Sequence, residues 1–325
     1  MSGAVGVFIP HLGCPHRCTF CNQNTIAGSA LPTPPEKIAQ IPPPKDAENT
    51  ELAFFGGSFT AIDRTLMTSY LKVGQAYVKR HGLRGLRLST RPDAVDNEIC
   101  GILLSHGVTT VELGAQSMDD AVLARCERGH TAAQVERAAR CVKGAGMELV
   151  LQMMTGLPGD TDAGALSTAR RLAQLAPDGV RIYPTLVLRG SALAKDETYR
   201  PQTLEEAVAL CKTLLEFFDG AGIPVVKLGL HAEEGYGAGE LVAGPYHPAF
   251  RELVQGEIYL GRAKAALAGL AGQVVLTVGR GRASQLAGQG GRNRKILAAL
   301  PGIAGINIAE DPNIAGFEVV ATRKT

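Results

Sequence analysis

Over its first two-thirds the chain alternates short apolar runs with longer amphipathic stretches. The apolar runs are "VGVFIPHL" (5–12), "ELAFF" (51–55), "LRLST" (86–90), "VTTVELGA" (108–115), "MELVLQMM" (147–154), "GVRIYPTLV" (179–187) and "PVVKLGL" (224–230), and they read as strands. Between them, "DAVDNEICGILLSHG" (93–107) and "TAAQVERAARCVKGAG" (131–146) read as helices that open on a capping Asp or Thr and close on a Gly. This alternation predicts an α/β fold of parallel strands with helices outside. Six or so units over roughly 230 residues are too few for a closed eight-stranded barrel. The expected architecture is a partial (βα)6 barrel with its chemistry at the C-terminal strand ends, an open doubly wound sheet being the alternative. Pro-rich "LPTPPEKIAQIPPPKD" (31–46) is expected to form an extended surface loop.

Near 231 the pattern breaks in the Gly- and turn-rich "HAEEGYGAGELVAGPYHP". The expected division is a barrel over 1–230 and a smaller α+β module over 231–325. In the module "VVLTVG" (274–279) reads as a strand, "RASQLAG" (282–288) as a short helix, and "GQGG" (288–291) as a tight turn. "RNRKILAALPG" (292–302) reads as a second helix, followed by strands at "GINIAE" and "FEVVAT".

A chain of 325 residues has room for one large core and such a module. The net charge of +2 exerts no bulk pull toward nucleic acid. The charge is unevenly spread, however. From 262 onward nine Lys/Arg stand against three acids, an excess of six, which leaves about −4 on the remainder. No run of about 18 apolar residues occurs, so no membrane partner is expected, and none on DNA. "MSGAVGVFIP" lacks the basic and long apolar regions of a signal peptide, so the expected location is the cytoplasm.

Three of the seven cysteines fall in "GCPHRCTFCNQ" (13–23); the others, Cys100, Cys126, Cys141 and Cys211, are isolated in helix-like stretches. Close spacing without a secretion signal argues against a disulfide framework. Cys14, Cys18 and Cys21 have the spacing of a helical stripe, yet Gly13, Pro15 and the preceding strand place the segment on a loop. Zinc needs a fourth ligand, for which His11 or His16 is available. Alternatively, C-x3-C-x2-C after the first strand of a βα barrel supplies three thiolates for a [4Fe–4S] cluster, leaving its fourth iron open.

With that motif, "FFGGSFTAI" (54–62), "ELGAQS" (112–117) and "GLPGD" (156–160) follow in an order that resembles the radical S-adenosylmethionine (SAM) superfamily. The resemblance implies a [4Fe–4S] cluster on Cys14, Cys18 and Cys21, and SAM chelated to the open iron. It places the methionyl amine at Gly56, Gly57 and Ser58, and the adenine near Phe20. It directs Gln116 toward the ribose and Arg128 toward the carboxylate. Where close relatives carry a Glu at the third strand end, this chain has Ser89 or Thr90; where another relative has Asp, it has Gln152. The implied chemistry is reductive cleavage of SAM to a 5′-deoxyadenosyl radical, with the electron from a low-potential donor of flavodoxin or ferredoxin type.

The finer pattern, "ELAFFGGSFTAID", "STRPD", "VTTVELGAQSMDD", "RGHT", "GLPGDT" and "GPYHPAFRELV", looks like the Elongator catalytic subunit and its shorter bacterial relatives, from about 5 to 260. That resemblance implies modification of the wobble uridine of tRNA, in a chain whose length leaves no room for the family's acetyltransferase domain. The β-α-GxxG-α-β-β order of the module resembles a KH domain, with Arg292, Arg294 and Lys295 as phosphate contacts. Tyr183, at the end of the sixth strand, is the candidate catalytic side chain; Tyr246 and His247 are further candidates. The alternatives are a radical SAM enzyme acting on a small molecule or peptide, and a zinc-stabilised RNA-binding protein.

Overall fold

Each apolar run of the first two-thirds becomes a strand. In the computed structural model, which describes residues 3–9, 14–22, 33–230 and 240–324, these are β1 (Gly3–Ile9), β2 (Thr50–Gly56), β3 (Gly85–Thr90), β4 (Val108–Gln116), β5 (Glu148–Thr155), β6 (Gly179–Pro184), β7 (Val187–Leu188) and β8 (Val225–Leu228). Seven of them form one parallel sheet in the order β1-β2-β3-β4-β5-β6-β8, curled into a half-barrel. The expected six units thus gain a seventh strand. The run over 179–187 divides: after Pro184, Thr185 turns its N–H and hydroxyl onto the Thr155 carbonyl, at 2.9 and 2.7 Å. β7 then pairs antiparallel with β9 (Leu241–Ala243).

Helices α1 (Arg64–His81), α2 (Asn97–Ser105), α3 (Asp120–Arg125), α4 (Ala132–Gly144), α5 (Asp162–Ala173) and α6 (Leu204–Gly220) lie between the strands in sequence, and α7 (Phe250–Ala266) follows them. Their starts follow from side-chain caps. Asp63 accepts from Thr65 and Leu66 N–H, and Thr131 forms a capping box with Gln134. The helix expected from Asp93 begins at Asn97 instead, because Asp96 makes the cap while Pro92–Ala94 form a 3-10 turn.

Alternation along the strands separates two surfaces. Leu52, Phe54, Leu86, Leu88, Val111, Leu113, Leu149 and Leu151 are fully buried in the main hydrophobic core, each contributing about 1.5–3 kcal/mol. The intervening positions, among them Arg87, Glu112, Gln152 and Arg181, face the concave side. The Pro-rich connector is more than an extended surface loop. Pro35–Gln40 forms a 3-10 helix whose Ile38 is fully buried. Tyr70 and Tyr77 of α1 donate to the Thr33 and Pro42 carbonyls, at 2.8 and 3.1 Å.

A second core lies toward the C-terminus. β10 (Gly272–Gly279), α8 (Ala283–Ala287), α9 (Arg292–Ala298), β11 (Ile303–Asp311) and β12 (Val319–Arg323) build a three-stranded sheet with β10 central. β11 runs parallel and β12 antiparallel to it. Helix α7 serves both cores: Phe250, Val254 and Ile258 enter the barrel core, and Tyr259, Leu260 and Ala263 the second. Of the three cations expected to meet phosphates, Arg292 pairs with Glu257 and Arg294 donates to the Ile306 carbonyl at 3.3 Å. Both remain exposed, as does Lys295. No helix among the described residues is long and apolar enough to cross a membrane.

Candidate functional site

The C-terminal strand ends open on a cavity of about 610 Å³, within the size range of small-molecule sites. Eleven of the twelve site residues expected from sequence line it: Cys14, Phe20, Cys21, Gly56, Gly57, Ser58, Ser89, Gln116, Arg128, Gln152 and Tyr183. Cys18, the twelfth, lies behind the wall and is 6% exposed.

The cysteine segment is clamped from two sides. Thr19 N–H donates to the Cys126 carbonyl at 3.1 Å, and Leu193 N–H to the Thr19 carbonyl at 2.8 Å. Asn22 donates to the Arg189 carbonyl. Phe20 packs on a small cluster of Val122, Cys126 and Leu157. Arg128 reaches the segment from the α3–α4 connection: Nη1 donates to Cys18 Sγ at 3.4 Å, while Nη2 donates to the Gly114 carbonyl at 2.8 Å. His16 packs on Gly129, whose φ is +75° and where a Cβ would sit 2.3 Å from the imidazole. Among the described residues no three His, Cys, Asp or Glu side chains converge as ligands of one metal ion, and this holds for Cys14, Cys18 and Cys21 as it does for a zinc set. His11, the other candidate fourth ligand, lies outside the described residues.

At the end of β2 the backbone itself forms the wall. Gly56 has φ +123°, and a Cβ there would lie 2.2 Å from the Ile9 carbonyl oxygen. Ser58 Oγ accepts from Arg91 N–H at 2.9 Å and sits 3.2 Å from Thr90 Oγ1, which also bonds Thr60 at 2.6 Å. Thr90, which also lines the cavity, thus ties the end of β3 to the turn that follows β2. Ser89 instead donates to Glu112 at 3.1 Å.

Gln116 ends β4 in a left-handed conformation, φ +65°, beside a register shift between Gly114 and Gln116. A bulge re-aims a side chain, and a non-glycine residue at such φ is strained. Gln116 Oε1, Arg128 Nε and Arg91 Nη1 are buried without a hydrogen-bond partner. Buried polar atoms are ordinarily satisfied, so three orphans at one cavity wall are donors and acceptors prepared for a ligand or water.

Deeper in the barrel runs a ladder of charges. Arg87 joins Glu51 at 2.7 Å to Glu112 at 2.9 Å, and Glu112 joins Arg181 at 2.7 Å. Arg181 donates to the Tyr183 hydroxyl at 3.2 Å. Burial pushes the Glu51 carboxyl up, but hydrogen bonds from Thr110 and Thr109 and the Arg87 charge outweigh it and hold it below its usual range. Lys227 Nζ stands 5.9 Å from the Tyr183 ring centroid. Burial, reinforced by Arg181 and opposed by Glu112, brings its ammonium down to about 8.

Sequence reasoning missed Arg91, Glu112, Arg181 and Lys227, all of which line the cavity. For Glu112 and Arg181 the available signal was charge at a strand position flanked by aliphatic residues. Tyr246 and His247 do not line the cavity. They face a separate niche with Pro184 and Phe250, and His247 Nδ1 accepts from Ala249 N–H at 3.0 Å. Burial pushes the isolated thiols up, Cys100 to about 11 and Cys126 and Cys211 to about 12. They are inert as nucleophiles at neutral pH.

Comparison with known proteins gives this cavity a context. A model of the Radical SAM superfamily matches residues 8–172, and one of the Radical_SAM C-terminal domain matches 177–259. "Protein YhcC" of Escherichia coli (strain K12) is 29% identical over 198 residues, covering 56% of this chain and 63% of that protein. The "tRNA uridine(34) acetyltransferase" of Dehalococcoides mccartyi is 26% identical over 241 residues, covering 61% of this chain and 52% of that one. The chain therefore spans less than two-thirds of the length of these relatives. The archaeal Methanocaldococcus infernus Elp3 structure superposes with a TM-score of 0.60 at 23% identity, over 79% of this chain and 62% of that one, which shows a shared fold. Since the superfamily match extends over half the sequence and takes in the cysteine loop and strands β2 to β5, this chain belongs to the radical SAM superfamily.

Proposed function

We propose that the chain binds a [4Fe–4S] cluster on Cys14, Cys18 and Cys21, binds SAM across the ends of β2 to β5, and acts in modifying the wobble uridine of tRNA. The observation that carries this reading is the single cavity on which Cys14, Cys21, the Gly56 cradle, Gln116 and Arg128 converge. These residues fit the two groups. Three thiols supply the ligands of three irons. Gly56 leaves space that a Cβ would fill, and the unpartnered Gln116 Oε1 and Arg128 Nε await polar partners.

When bound, a reduced cluster with SAM supplies a 5′-deoxyadenosyl radical and methionine. The residues of this chain bind and orient. Gly56 and Gly57 present backbone to the amine of SAM, Gln116 accepts from a ribose hydroxyl, and Phe20 with Met154 forms an apolar flank for the adenine. Tyr183 and Lys227 stand on the opposite wall, where substrate enters, and the apolar side chains of Leu186 and Leu188 exclude water there.

Two features favour tRNA. The activity printed for the Dehalococcoides relative is on tRNA uridine 34. From residue 262 onward the C-terminal module carries an excess of six positive charges, with Arg280, Arg282, Lys295, Arg323 and Lys324 exposed. The testing experiment uses anaerobically purified protein reconstituted with iron and sulfide. With dithionite and SAM, 5′-deoxyadenosine is expected to form and to increase when bulk tRNA is added. Formation that ignores tRNA would redirect the substrate to a small molecule or peptide. A colourless zinc protein without SAM cleavage would overturn the reading.

A further inference from the structure

The connection between α3 and α4 touches the cysteine segment at three successive points. The Cys126 carbonyl accepts from Thr19, Arg128 Nη1 donates to Cys18 Sγ at 3.4 Å, and Gly129 packs on the His16 ring. The middle contact is the unusual one. Cys14 and Cys21 line the cavity, whereas Cys18 is 6% exposed and meets a guanidinium that is itself only 8% exposed.

Arg128 has little freedom to leave. Its Nη2 is tied to the Gly114 carbonyl at 2.8 Å. Its own carbonyl accepts from Arg91 Nη2, and Arg91 is held by Asp93 through Nε at 3.0 Å and Nη2 at 3.2 Å. The contact with Cys18 is thus part of the resting architecture and needs no second ligand to form.

We propose that Arg128 raises the reduction potential of the iron–sulfur cluster through its hydrogen bond to the Cys18 thiolate, independently of any contact with SAM. The inference rests on the proposed function, in that Cys18 is taken to be a cluster ligand. A one-electron reduction, with the electron from the external low-potential donor, adds one negative charge to the thiolate-ligated group. A fixed cation and N–H donor at a ligand sulfur favour that more negative state. Hydrogen bonds to ligand sulfurs and burial are recognised determinants of such potentials. Burial strengthens the effect, since little water screens the guanidinium. Cys18 is then the electrostatic handle of the site, and Cys14 and Cys21 its exposed face.

The test is an electron-paramagnetic-resonance redox titration of reconstituted protein in the absence of SAM, comparing wild type with Arg128→Gln and Arg128→Lys. Iron and sulfide content and the visible spectrum establish equal cluster loading. At the ambient potential that half-reduces the wild type, Arg128→Gln is expected to show a reduced-to-oxidised ratio about tenfold lower, the scale of one lost charge-assisted hydrogen bond. Arg128→Lys keeps the charge but cannot span Gly114 and Cys18 together, and falls between the two. Equal potentials at equal loading would overturn the inference and leave the proposed function intact. If Arg128→Gln holds no cluster, the Lys variant decides: a wild-type potential there is equally fatal. A wild type that assembles no cluster removes the proposed function itself, and the inference with it.

Discussion

Ser89 and Glu112 stand opposite each other in the parallel register of β3 and β4, and the serine hydroxyl donates to the glutamate carboxylate at 3.1 Å. The carboxylate that lines the cavity at this level therefore comes from the fourth strand, not the third. It is held by three donors: Ser89, Arg87 at 2.9 Å and Arg181 at 2.7 Å. Its side chain is 2% exposed.

Replacing Glu112 by Gln keeps the shape and removes the charge that two guanidinium groups share. Arg87 retains Glu51, but Arg181, whose Nε already lacks a partner, loses its carboxylate. Breaking a buried pair from one side costs about 3–5 kcal/mol. Urea unfolding of Glu112→Gln should show a lower midpoint at an unchanged slope. A loss under about 1 kcal/mol would mean that water reaches the ladder and that the charges are less isolated than their burial implies.

Gln116 makes the opposite case, a residue that costs stability where it stands. Its φ of +65° is a conformation glycine adopts without strain, and its buried Oε1 has no partner. Gln116→Gly should stabilise the ligand-free protein by about 1 kcal/mol. The same variant should bind SAM more weakly, as read by equilibrium dialysis on the reconstituted protein. Lower stability together with unchanged SAM affinity would remove Gln116 from the binding site.

His130 carries a pH dependence whose sign is fixed by its surroundings. The ring is 4% exposed; burial, then the Arg128 charge, bring it from 6.5 down to about 4, with the Ala115 carbonyl opposing. Between pH 6.5 and about 4 the unfolded chain takes up a proton that the folded chain refuses. Stability is therefore present in full above 6.5 and declines as pH falls, at up to about 1.4 kcal/mol per unit. Denaturant unfolding from pH 7 to 4.5 should show this decline in wild type and a shallower one in His130→Gln. Parallel curves would place the titrating group elsewhere.

The elements were legible in the sequence because their causes are local: apolar runs gave seven strands, and Asp or Thr caps marked helix starts such as Thr131. The candidate site residues were picked out as motifs, and the fold brings eleven of those twelve to one cavity. What was not legible depends on facing and register. Glu112 is meaningful only once it is opposite Ser89 and within reach of Arg181, residues 23 and 69 positions away. The partners of Arg292 and Arg294, Glu257 and the Ile306 carbonyl, were not legible either, because tertiary packing brings them up. The Pro-rich connector hides its role for the same reason: the few apolar residues between its prolines, among them Ile38 and Ile41, show no strand or helix period, and what they pack on comes from the main core.

Two glycine-to-alanine changes should differ in sign. At Gly56 the last residue of β2 pairs with Ile9 of β1, and a Cβ would press to 2.2 Å from the Ile9 carbonyl oxygen at a φ of +123°. Either the strand ends separate or the backbone leaves its conformation, so Gly56→Ala should cost about 2 kcal/mol or more. It should also close the cradle and abolish SAM binding. Gly101 lies on the exposed face of α2, and a Cβ added there would meet nothing within 4 Å. At that position alanine only lowers the entropy of the unfolded chain and favours helix, a gain of about 0.5–1 kcal/mol. Thermal unfolding of the two variants side by side reads the difference directly. A Gly56→Ala protein as stable as wild type that still binds SAM would show that the end of β2 yields, and that the amine is held by something other than a fixed backbone wall.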